Sequence, residues 1–127
     1  MLKKIGLAFG AVFVLVGLAG FVPALTPDGK LLGLFAVNGA HNLVHIATGA
    51  IALGIALASP SALSMFFKVF GVVYGLVAVL GYFSGDQPIL GLIAHNMADM
   101  WLHVAIAALS LWIGFGMRND AVTGVAS

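Results

Sequence analysis

Apolar residues fill four long runs, at about 5–21, 35–58, 66–83 and 89–115, and most of the strongly polar residues are pushed into the breaks between them. The breaks are VPALTPDGK from Val22, SPSALS from Ser59 and SGDQP from Ser84. Each combines Pro with Ser, Asp or Gly, as turns and loops do. A run of about 20 apolar residues matches the hydrocarbon thickness of a bilayer when it is helical. The pattern therefore predicts four transmembrane helices. Short breaks make consecutive helices antiparallel neighbours, which gives an all-α, up-down four-helix bundle. Residues 1–127 are expected to form one transmembrane domain.

The runs also repeat. Phe9 to Phe21 reads FGAVFVLVGLAGF and Phe70 to Tyr82 reads FGVVYGLVAVLGY, which matches Phe13 with Tyr74 and Gly20-Phe21 with Gly81-Tyr82. The second run answers to the fourth in the same way. Asn38, His41 and His45 have the spacing of Asn96, Asp99 and His103. Residues 5–58 and 66–115 thus read as a duplicated helical hairpin. Two copies in the same orientation imply a pseudo-two-fold axis along the membrane normal. Lys3, Lys4 and the VPA at Val22 to Ala24 would also suit a cleaved signal peptide, but the repeat needs the first helix and so favours its retention.

Composition agrees with a membrane protein. Hydrophobic residues make up 62% of the chain and charged residues 7%, against about 25% charged in soluble domains. No Cys and no Glu occur, so disulfides, thiolate metal sites and cysteine nucleophiles are excluded. A net charge of +1 gives no electrostatic footprint for nucleic acid. Lys3, Lys4, Lys68 and Arg118 fall on one side of the four-span arrangement, and Asp28, Lys30 and Asp86 on the other. The positive-inside rule then puts both termini in the cytoplasm, with the bacterial inner membrane as the expected location.

Polarity inside the spans is concentrated at NGAHNLVH and HNMADMWLH. At about 100° per residue, Asn38, His41 and His45 share an arc of roughly 60°, and Asn42 widens it to about 100°. Asn96, Asp99 and His103 form the equivalent stripe, with His95 further round. The repeat lets the two stripes converge in the outer half of the bundle. Asp99 is the only acid within a span, and an intramembrane carboxylate marks a functional site by default. His41 with His45 and Asp99 with His103 each stand at i,i+4, a spacing that lets both side chains reach one ion. Three His and one carboxylate suit Zn, Fe, Cu or Mn. Asn38, Asn42, His95 and Asn96 would support that set.

Other chemistries fit less of the pattern. A b-type haem could use His45 and His103 as axial ligands, with Gly39 and Gly49 making room for the ring. The same residues could relay protons. A third alternative is purely structural: polar side chains that hold helices together, in a homo-oligomer or in an accessory subunit of a larger membrane complex. An enzyme is the less favoured class, since the chain has no phosphate loop, no nucleophile elbow and no HExxH. Gly71 and Gly75 at GxxxG spacing mark a close helix contact, Trp101 and Trp112 a packing or interface role.

At HNLVH and HNMADMWLH the sequence resembles a bacterial family of small four-span membrane proteins described only as a domain of unknown function. The matching positions are His41, Asn42, His45, Asn96, Asp99 and His103. The resemblance implies fold and topology over nearly the whole chain and supplies no reaction.

Overall fold

A computed structural model describes residues 1–117. Four helices dominate: α1 (Leu2–Ala19), α2 (Gly39–Ala58), α3 (Leu63–Ser84) and α4 (Met97–Gly116). All four are long and apolar enough to cross a bilayer. At about 1.5 Å per residue they span roughly 30 Å. The chain is an all-α, multi-pass membrane protein. Arg118 and the polar tail RNDAVTGVAS, which the charge count used, lie outside the described residues.

The helices pair as two hairpins. α1 packs along α2 and α3 along α4, while contacts between the two pairs are sparse. Apolar side chains gain little from leaving lipid, so close backbone approach decides which helices associate. Glycine supplies it. At the α1–α2 crossing a Cβ on Gly10 would lie 2.8 Å from the Gly49 carbonyl oxygen, and one on Gly49 would lie 2.6 Å from that of Gly10. Between α3 and α4, Gly71 accommodates Leu111 and Gly114 accommodates the backbone of Lys68. Gly75 has nothing within 4 Å of its missing side chain, so only one member of the GxxxG pair serves the contact.

Side chains are layered along the bundle axis. At the end that carries the N-terminus, Leu2, Ala56, Leu63, Phe67 and Ile113 form a buried apolar cluster. The middle layer is aromatic. Phe9 meets Phe67 and Phe70 edge-on at 5.2 and 5.1 Å between centroids, and Phe13 joins Phe70, Tyr74 and Ala107. Beyond it, at the far end, comes the polar layer. Trp101 and Trp112 lie outside this core, 66% and 65% exposed, on the surface available to lipid.

Two helices begin later than the apolar runs predict. The second run starts at Phe35 and the fourth at Ile89, yet α2 starts at Gly39 and α4 at Met97. Tight hairpins take up the difference. Lys30–Leu31 (β1) pairs antiparallel with Phe35–Ala36 (β2), and Ile89 bridges Ile93. Both turns use a Leu-Gly pair with positive φ, Leu32 and Gly33 at 54° and 74° and Leu90 and Gly91 at 55° and 69°. Three residues, Leu32 to Leu34 and Leu90 to Leu92, close each loop, and the two in the left-handed conformation reverse the chain. Leucine pays for it with strain of roughly 1–2 kcal/mol.

Candidate functional site

The polar residues cluster because each late start turns an asparagine into a helix cap. The Asn38 side chain accepts from the backbone N–H of His41 at 2.9 Å, and Asn96 accepts from that of Asp99 at 3.0 Å. Asp99 Oδ2 accepts in return from the Asn96 N–H at 3.1 Å, which completes a capping box. The sequence pattern predicts Asp99 deeper in its helix. It sits instead in the first turn, 1% exposed, where the helix dipole favours a carboxylate.

The two amide groups then reach across to the opposite hairpin. Asn38 Nδ2 donates to the Leu92 carbonyl at 3.0 Å, and Asn96 Nδ2 donates to the Leu34 carbonyl at 2.8 Å. Leu34 and Leu92 stand at the same place after their respective Leu-Gly turns. A third link runs from His41 Nδ1, which donates to the Ala94 carbonyl at 2.9 Å. A carbonyl only accepts, so this bond fixes the proton of a neutral His41 on Nδ1 and leaves Nε2 as an acceptor.

Four imidazoles fill the space enclosed by these links. His41, His45, His95 and His103 are all at least nine-tenths buried. Their ring centroids follow one another in a row: His45 to His41 at 5.1 Å, His41 to His103 at 6.1 Å, and His103 to His95 at 6.0 Å. The row crosses from α2 to α4 at its middle step. Phe13 stacks on His45 at 5.0 Å, and Tyr74 meets His103 edge-on at 5.3 Å. His95, which the sequence places round the helix from the stripe, precedes α4 and turns inward. Its Nδ1 donates to the Gly85 carbonyl at 2.8 Å, and its ring fills the place that a side chain on Gly81 would take. Asn42 is buried against α1, its amide in the space left by Gly20.

Three ring nitrogens are buried without a partner: His45 Nδ1, His95 Nε2 and His103 Nδ1. Buried polar atoms are normally paired, and an unpaired one marks a place for water, an ion or a proton. Among the described residues no three His or Asp side chains gather closely enough to hold a metal ion. The Asp99 carboxylate accepts from the backbone of its own helix cap. Of the two glycines expected to make room for a haem, Gly49 is closed by Gly10 and Val14 of α1 while Gly39 is open, and His41 packs against both His45 and His103.

The model of the domain of unknown function DUF4383 matches residues 3–116. The chain belongs to the DUF4383 family. The match takes in all four helices and every polar residue of the cluster. No curated protein and no solved structure matches the chain, so what this DUF4383 chain does has to be read from its own residues.

Two elements of the site are not in the sequence reading. One is the segment from Leu31 to Asn38, LLGLFAVN, which recurs from Ile89 to Asn96 as ILGLIAHN. The predicted spans cut the first copy at Phe35 and absorb the second whole, which hides the repeated Leu-Gly pair. The other is Ser110, wholly buried with an unpartnered hydroxyl. It lies two turns beyond His103, on the same face of α4.

Proposed function

We propose that the row of imidazoles binds and passes protons within the outer half of the membrane, and that the asparagine caps hold the two hairpins in the register the row requires. One observation carries this reading: four buried rings, drawn from both hairpins, stand in sequence at 5.1, 6.1 and 6.0 Å with three nitrogens unpartnered. Imidazole both donates and accepts, and it changes charge near neutral pH. Rings at such spacings can exchange a proton through one intervening water, which needs polar partners of the kind these nitrogens supply.

The polar layer ends at mid-membrane apart from Ser110, so the reading is a proton-binding site open to one side. Further assignments accompany it. The matched capping, the matched turns and the crossed Asn38 and Asn96 bonds support a duplicated hairpin with a pseudo-two-fold axis along the membrane normal, in a single domain. Lys3, Lys4 and Lys68 at one end support cytoplasmic termini in a bacterial inner membrane.

Histidine-selective 15N spectra of the protein in nanodiscs, taken across pH together with metal analysis, test the function. A row gives coupled titrations: His41→Gln shifts the midpoint of His103. Independent titration of the four rings overturns the reading. Stoichiometric Zn, Fe, Cu or Mn in the purified protein would replace it by a metal site.

A further inference from the structure

Sparse contact between the hairpins leaves two clefts, one on each side of the bundle. The first, of about 580 Å³, lies between α2 and α3 and reaches His103. The second, of about 440 Å³, lies between α1 and α4 and reaches His45. Their walls come from matched positions of the two repeats. Phe70, Val73 and His103 line the first where Phe9, Val12 and His45 line the second. If both clefts only received the acyl chains of surrounding lipid, the same apolar side chains would serve in each.

Two matched positions differ in polarity. Tyr74 stands in the α2–α3 cleft where Phe13 stands in the other, and Thr48 where Ile106 stands. His41 also lines the first cleft, whereas its counterpart Asp99 does not line the second. Each cleft has a histidine, His103 or His45, but only the first adds hydroxyl groups and a second imidazole. Tyr74 and His103 are 6% and 4% exposed, so their polar atoms face a largely water-free space. Groups so placed need a partner.

The chemistry of the wall narrows the partner. None of the residues lining this cleft is Lys, Arg, Asp or Glu, so a charged head would be buried without a counter-ion, which is costly. The Tyr74 and Thr48 hydroxyls can donate, and no backbone bond fixes the tautomer of His103, so it can donate from either nitrogen. The rest of the cleft is apolar. A site of several hundred Å³ with an apolar body and a few placed polar groups is typical of small-molecule recognition.

We propose that the α2–α3 cleft is a binding site for a neutral, lipid-soluble molecule that presents a carbonyl oxygen to Tyr74, Thr48 and His103, a quinone-type head on an apolar tail being the class that fits. The site rests on the asymmetry of the two clefts and does not depend on proton binding by the histidine row.

The test uses the full chain in nanodiscs of zwitterionic lipid and a photoreactive azido-benzoquinone with a decyl tail. Labelling should saturate at one probe per chain, map to α2 and α3, and be displaced by decyl-benzoquinone without an azide but not by oleate. Thr48→Ile with Tyr74→Phe gives the cleft the residues of its counterpart, and should raise the half-saturating concentration at least tenfold. The thermal transition of this variant should stay near that of the wild type, because the matched positions already carry Phe and Ile; if it fails to fold, Tyr74→Phe alone is read. Equal labelling of both clefts, labelling that never saturates, displacement by oleate, or a variant that binds as the wild type does would each overturn the proposal.

Discussion

Replacing Asn38 removes two interactions of different kinds, and two substitutions separate them. Asn38→Ala deletes the helix cap to His41 N–H and the bond to the Leu92 carbonyl. A lost asparagine cap costs typically about 1 kcal/mol, and a polar bond between transmembrane segments averages about 0.6 kcal/mol. The sum is about 1.6 kcal/mol, somewhat more than a tenfold change in the folding equilibrium. Asn38→Ser keeps an oxygen that caps but has no amide to reach Leu92, so about 0.6 kcal/mol should be lost. Serine at Asn96 should behave alike, through the Leu34 carbonyl. If the two crossed bonds act as one clasp, the double serine variant loses more than the singles together. Reversible unfolding in mixed micelles, followed by far-UV circular dichroism, measures all four proteins. Equal losses for Asn38→Ser and Asn38→Ala, or no loss for either, would refute the division of labour drawn here.

Asp99→Asn keeps an oxygen for the Asn96 N–H, so stability in detergent should change by less than about 1 kcal/mol, whereas Asp99→Ala leaves that N–H unpaired and should cost about 1–3 kcal/mol; thermal melts of both variants check the contrast. Gly49→Ala forces a methyl against the backbone of α1 and should cost about 1–3 kcal/mol by overpacking, while Gly75→Ala, with open space beside it, should be neutral or stabilising in the same assay. A reporter fused after Ser127 should be active in the cytoplasm, and activity only outside would reverse the topology.

Much of the fold was legible because lipid imposes simple demands. Runs long enough to cross a bilayer give the number of helices, and breaks too short for anything else give their order. What the pattern hid was the point at which each helix begins. Phe35 and Ile89 are as apolar as the helices they precede, so hydropathy continues through the hairpins, and only Leu32-Gly33 and Leu90-Gly91 betray the turn. That shift moved Asn38 and Asn96 from a helical stripe to caps, and with them Asp99 to the third residue of a capping box. The convergence of His41 and His103 was legible from the matched spacing. The inward turn of His95 was not, since it depends on the space left by Gly81 on a different helix.

His41 meets His103 at the one step in the row that passes between hairpins. Solid-state NMR of the reconstituted protein, with 13C and 15N confined to histidine, reads that contact directly from ring-to-ring correlations. Cross-peaks should join His45 with His41, His41 with His103, and His103 with His95, and the loss of the middle one in His41→Gln assigns it. A spectrum in which His41 correlates only with His45, and His103 only with His95, would mean that the hairpins do not bring their histidines together and would contradict the account.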